Sequence, residues 1–179
     1  MPGGGFDHSV ISRSGQKIIV YPTYPQSEIR EGDIALIKLN QSYELEKDYF
    51  LRTICLPDKE ELDKMVGQPC VVSGWGRTDP ETTSDVMYKA DQSIIKQETC
   101  GQFEKDWLSD LKLCSDSYVR HAGTCIGDSG GPLQCQKSGR WFLYGVVSYG
   151  QTACADDWPG IFARVSEMSE WVWKTIKVN

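Results

Sequence analysis

The 179 residues hold 19 Lys+Arg against 25 Asp+Glu, a formal net charge of −6, with 40% hydrophobic and 25% charged residues. That composition excludes a largely disordered chain, and the acidic balance argues against nucleic acid as a partner. No apolar run reaches the ~18 residues of a membrane span, and the length suffices for one ample core or two small ones sharing an interface.

The first eight residues, MPGGGFDH, have no apolar stretch and are not a signal peptide. The chain therefore reads either as a mature form or as one lacking its natural N-terminus. Residues 17–21 (KIIVY) predict a strand ended by Pro22. Residues 33–39 (DIALIKL) are apolar on both sides, the pattern of a buried strand. Residues 47–62 read as a surface connection. Residues 70–75 (CVVSGW) predict a strand, 78–89 a second connection, and 92–96 (QSIIK) another strand, with a weaker helix over 97–104. Strands follow at 141–149 (WFLYGVVSY) and 161–165 (IFARV), all rich in β-branched and aromatic residues. The last segment predicts a helix capped by Ser166, acidic at Glu167 and Glu170 and basic at Lys174 and Lys177. Met168, Trp171, Val172, Thr175 and Ile176 would form its apolar stripe. With 17 Gly and 8 Pro as punctuation, the whole reads as all-β with a terminal helix, built as barrels or a sandwich.

Seven cysteines, at 55, 70, 100, 114, 125, 135 and 154, point to an oxidising compartment. No two are spaced as a tight CxxC pair, and the two histidines, His8 and His121, lie away from any such pair, so no structural zinc is expected. An odd number leaves one cysteine free or bonded to another chain.

The most informative stretch is residues 124–133, TCIGDSGGPL. Three glycines surround Ser129, with Asp128 directly before it. Glycines on both sides let the backbone turn sharply and let a substrate carbonyl come close. The N–H groups of Gly127 and Ser129 can then converge on one oxyanion, worth roughly 3–4 kcal/mol per donor in hydrolases.

GDSGGP resembles the nucleophile motif of the chymotrypsin/trypsin family of serine proteases, and the likeness runs along nearly the whole chain. DIALIKL at 33–39 resembles the family's strand with the triad aspartate, ICLP at 54–57 the approach to the inter-barrel linker, and VSGWG at 72–76 the opening of the second barrel. VSYG at 147–150 and PGIF at 159–162 resemble the walls of the primary specificity pocket. The resemblance implies two antiparallel six-stranded β-barrels with a cleft between them and a C-terminal helix. Residues 1–57 would be an incomplete first barrel, and residues 58–179 the second.

The family roles carry over residue by residue. Ser129 would be the nucleophile, and Asp33 would orient the general base. The backbone of Gly127 and Ser129 would form the oxyanion hole. Ser148 would support the Asp33 carboxylate, and the edge formed by Ser148, Tyr149 and Gly150 would pair with substrate as an added strand. Gly123, Thr124 and Gly160 would complete the pocket, and Asp128 would be the partner of the N-terminus created on zymogen activation. The implied disulfides are Cys70 with Cys135, Cys100 with Cys114, and Cys125 with Cys154. Cys55, at the point where relatives bond a pro-segment or light chain, would take such a partner or remain a buried free thiol. No metal or organic cofactor is implied. Polypeptide substrates and protease inhibitors are the expected partners, and the expected location is extracellular.

Two departures matter. In the family the catalytic His lies roughly 45 residues before the Asp, whereas only 32 residues precede Asp33. His8 reads as a surface-loop residue, because GFDHSVISR resembles the loop after the catalytic His, and His121 sits beside the pocket rather than across the cleft. Nor does MPGGG match an Ile-Val-Gly-Gly-type activation terminus. A peptidase domain of this kind runs 200–250 residues, so about 50–60 are missing on this reading. The expectation is a secreted serine endopeptidase whose 179-residue chain is inactive alone; the other reading is a non-catalytic homologue that binds a partner through the cleft. With Gly123 at the pocket base, cleavage after apolar residues is expected, although Asp156 and Asp157 on the rim could attract a cation. Asn40-Gln41-Ser42 forms a glycosylation sequon.

Overall fold

The computed structural model describes residues 12–45, 51–59, 62–78, 82–106, 108–117, 122–150 and 158–179. Among these residues eight strands run as β1 (Gly15–Val20), β2 (Ala35–Leu39), β3 (Pro69–Gly74), β4 (Tyr88–Ile94), β5 (Lys112–Ser117), β6 (Pro132–Lys137), β7 (Arg140–Tyr149) and β8 (Gly160–Arg164). The helices are α1 (Leu62–Met65), α2 (Gln97–Phe103) and α3 (Val165–Val178). Strands β3 to β8 close into an antiparallel barrel in the order β3-β4-β5-β8-β7-β6, while β1 and β2 form a separate antiparallel ribbon. The architecture is therefore mostly β, with one complete six-stranded barrel, a second small sheet and a C-terminal helix.

The barrel is filled by Val72, Ile94, Leu113, Leu133, Tyr144, Val147 and Phe162, one or two residues from each strand. These residues alternate with outward-facing neighbours, as the pleat requires. Helix α3 buries Val165, Met168 and Val172. Its Trp171 meets Tyr21 edge to face at 5.0 Å, so the helix also supports the β1–β2 ribbon. Lys17 and Lys38 of the ribbon reach the side chain and backbone of Asn179.

Several local expectations need correcting. The strand expected at 92–96 occupies 88–94, so Tyr88 and Lys89 belong to β4 rather than to a connection. Exposed Lys89 and Asp91 and buried Gln92 hid the alternation there. Strands β5 and β6 were not foreseen. In β5 the first four residues, Lys112 to Ser115, are all buried, and two of them are polar. In β6 the alternation of Leu133 and Cys135 follows directly on the glycine-rich loop. Ser166 does not cap α3: Arg164 occupies that position, and the Ser166 hydroxyl accepts a bond from Arg164 Nε at 3.3 Å. Ile176 is 56% exposed and lies off the buried stripe. Strand β2 is not buried on both sides, since Ile37 is 60% and its cross-strand neighbour Ile18 67% exposed. Among the described residues only β1 pairs with it.

Candidate active site

Asp33 sits in the turn entering β2, and Ser148 near the end of β7. Ser148 Oγ donates to Asp33 Oδ2 at 2.6 Å, a charge-assisted bond that joins the ribbon to the barrel.

The loop of residues 125–131 is built around the Asp128 carboxylate. Gly76 N–H donates to its Oδ1 at 2.9 Å and Cys125 N–H to its Oδ2 at 3.0 Å. A Cβ on either Gly74 or Gly76 would run into that carboxylate, so both glycines are needed for its close approach. Within the loop, Asp128 N–H bonds Cys125 O at 3.0 Å and Gly131 N–H bonds Asp128 O at 2.8 Å. Gly130 N–H reaches back to Val147 O at 2.9 Å, which fixes the loop to β7. Gly127 has φ +101°, a conformation that other residues rarely adopt. This geometry holds Ser129 exposed on a loop tied to the barrel at both ends. Among the described residues no hydrogen bond uses the N–H of Gly127 or Ser129.

Among the described residues, nothing lies within 4 Å of where a side chain would stand at Gly123 and Gly150. Gly160 is more crowded, with Thr124 Oγ1 3.2 Å from such a position. Residues 151–157, including Asp156 and Asp157, lie outside the described residues, as do His8 and His121.

Beside this edge lies a polar cluster that sequence reasoning did not identify. Lys112 on β5 is only 2% exposed. Its Nζ donates to Ile29 O at 2.6 Å and to Tyr149 Oη at 2.9 Å, and Tyr149 Oη donates to Glu104 Oε2 at 3.0 Å. The Arg30 guanidinium stands 5.6 Å from the centre of the Tyr149 ring. Burial pushes the Lys112 ammonium below the ordinary lysine range, with the carboxylates of Glu104, Glu31 and Asp33 opposing and Arg30 adding to the shift. Burial, reinforced by Glu104, holds the Tyr149 hydroxyl well above the usual tyrosine range. Tyr149, Phe103, Glu104, Lys105 and Asp106 line a shallow cavity of about 400 Å³. A second buried pair, Ser115 Oγ to Gln92 Oε1 at 2.8 Å, frees Gln92 Nε2 to hold Ala122 O at 3.0 Å, one residue before Gly123. A lysine or glutamine in a strand carries no sequence mark of burial, which is why neither stood out.

Cys70 is bonded to Cys135 and Cys100 to Cys114. Cys125 is also disulfide-bonded, and its expected partner Cys154 lies outside the described residues. Cys55 is a free, half-buried thiol that accepts a bond from Arg140 Nη2 at 2.8 Å. No helix among the described residues is long and apolar enough to cross a membrane.

The trypsin family model matches residues 6–172. The chain is 35% identical over 164 residues to CLIP domain-containing serine protease B4 of Anopheles gambiae, covering 88% of this chain and 45% of that protein. It is 32% identical over 166 residues to CLIP domain-containing serine protease HP8 of Bombyx mori, covering 88% and 44%. It is 32% identical over 176 residues to Transmembrane protease serine 9 of Rattus norvegicus, covering 96% and 16%. The chain thus spans less than half the length of each of these relatives. With the family match across most of its length and the barrel that carries the GDSGGP loop, this chain belongs to the chymotrypsin/trypsin family of serine proteases.

Proposed function

We propose that the chain is the peptidase segment of a secreted serine endopeptidase, cleaving polypeptides after apolar residues through an acyl-enzyme. The observation that carries this reading is the anchoring of Asp128 by Gly76 and Cys125, in the loop on which Gly127 and Ser129 are both exposed. A pure binding module has no need of that arrangement. In the reaction, Ser129 Oγ attacks the scissile carbonyl and gives its proton to a general base oriented by Asp33. The Gly127 and Ser129 N–H groups stabilise the oxyanion, and the amine leaves with the proton that the base returns. Water then hydrolyses the acyl-enzyme by the same route. The disulfides support an extracellular location. Residues 1–57 act as the part of the first barrel that supplies Asp33, and residues 58–179 as the second barrel. Asp128 accepts the activation N-terminus, and Cys55 bonds an upstream pro-segment or light chain.

On this reading neither His8 nor His121 serves as the base, and the 179-residue chain alone turns over no peptide. A general base contributes about 10²–10⁴-fold, and triad members act as a unit. The test is hydrolysis of a peptide library by the purified chain, with Ser129→Ala as control. Background rates in both agree with the proposal. Turnover lost in Ser129→Ala would show that a base is present within these 179 residues.

The pocket preference follows from Gly123. A large apolar side chain entering the open space gains roughly 1.5–3 kcal/mol by burial, whereas a lysine would lose hydration without a facing charge. Binding of indole and of benzamidine to the chain, followed by NMR, separates the two. Tighter indole binding is expected, and tighter benzamidine binding would mean that Asp156 or Asp157 reaches the pocket.

A further inference from the structure

We propose that Lys112 is a positioning residue for Asp33: its buried ammonium fixes the Ile29 carbonyl to the second barrel and so sets where the Asp33 carboxylate meets Ser148. The role assigned to Asp33 rests on the peptidase reading; the fastening itself does not. The segment between Ser27 and Ile34 is a poor candidate to hold its own shape. Arg30 has φ +53° and Gly32 φ +72°, two left-handed residues within three positions, and Arg30 has a side chain that disfavours it. Nearby, Glu31 N–H bonds Ser27 Oγ at 2.9 Å, Ile34 N–H bonds Gly32 O at 2.7 Å, Thr23 Oγ1 donates to Glu31 O at 3.2 Å and Tyr21 N–H to Ile34 O at 3.0 Å. The long-range contacts decide its place. Lys112 Nζ grips Ile29 O four residues before Asp33, and Ser148 grips Asp33 itself. The Tyr149 ring lies between these two anchors. It follows Ser148 in the chain, accepts a bond from Lys112, stands 5.0 Å from the ammonium, and stacks under Arg30. Glu104 completes the cluster by accepting the Tyr149 hydroxyl and opposing the Lys112 charge more strongly than Glu31 or Asp33 does.

Lys112 lies on the opposite face of β5 from Leu113, which fills the barrel, so an uncharged side chain of similar volume there leaves the barrel core in place. Global stability and local anchoring therefore separate, which makes the role measurable. The experiment is amide hydrogen exchange on the 179-residue chain and its Lys112→Met and Lys112→Arg variants. In Lys112→Met the amides of Glu31 and Ile34, both hydrogen-bonded in the turn, are expected to exchange at least tenfold faster. Amides of the β3–β4 pairing should stay within twofold. Lys112→Arg, which keeps a donor of similar reach, should restore at least part of the protection. A change below twofold at residues 31–34 in Lys112→Met would overturn the proposal. So would equal acceleration throughout the barrel, or a Lys112→Arg variant as exposed as Lys112→Met. Should Lys112→Met not fold, Tyr149→Phe serves in its place: it removes one Lys112 partner and the link to Glu104. It is then expected to speed exchange at residues 31–34 by threefold or more, and an unchanged rate would equally overturn the proposal. None of these outcomes depends on whether the chain cleaves peptides.

Discussion

Ser148 and Asp33, 115 positions apart, are joined by a 2.6 Å hydrogen bond that links the two-stranded ribbon to the closed barrel. A bond to a charged acceptor is worth about 1.5–3 kcal/mol when buried, and less here because Asp33 is only half-buried. Ser148→Ala is expected to lower unfolding stability by about 1 kcal/mol in urea titration. An unchanged midpoint would mean that the ribbon is held by its other contacts alone.

The loop presenting Ser129 depends on the Asp128 carboxylate accepting two backbone N–H groups. In Asp128→Asn one of those donors would face an NH₂ group instead of an oxygen. A loss of about 1.5–3 kcal/mol is expected in denaturant unfolding. Gly76→Ala should cost about as much by a different route, since its Cβ would displace the carboxylate. If both variants unfold like the parent, the loop is not organised around Asp128.

Alkaline stability should follow the Lys112–Tyr149 pair. The Lys112 pKa is lowered in the folded chain, so between that value and about 10.4 the unfolded state binds more protons and stability rises with pH. The Tyr149 pKa is raised, so above about 10 the unfolded state loses its proton first and stability falls. Urea midpoints from pH 7 to 11 should show a smaller rise in Lys112→Met and a smaller fall above pH 10 in Tyr149→Phe. Curves parallel to the parent's would contradict both assignments.

Non-reducing peptide mapping should return Cys70–Cys135, Cys100–Cys114 and Cys125–Cys154, with Cys55 left over. The first two pairs are directly bonded in the fold, each worth about 2–4 kcal/mol by loop closure. A bridge from Cys55 to any of these six would break the barrel register.

Much of this was legible in the chain. Ser129 stood out because three glycines and an aspartate around one serine have few other uses. Strand β7 stood out because its ten residues are nearly all apolar or aromatic. The resemblance, rather than any periodicity, brought Ser148 to Asp33, since nothing in the spacing of two residues 115 positions apart tells that they touch. What stayed hidden is polar and buried. Lys112, Gln92 and Ser115 carry no mark of burial in the sequence; the fold supplies Ile29 O, Ala122 O and each other as partners. Ile18 and Ile37 failed in the opposite sense, being apolar yet exposed.

The central claim is that Ser129 is the nucleophile of an endopeptidase selecting apolar residues. The most direct measurement is peptide cleavage by the protein isolated from its natural source, with whatever sequence flanks residues 1–179, on a library varied at the residue before the cut. The account predicts cleavage after residues such as Leu, Phe and Tyr, lost when Ser129 is replaced by Ala. Cleavage after Arg or Lys, cleavage that survives Ser129→Ala, or no cleavage with retained binding of a protein partner would contradict it.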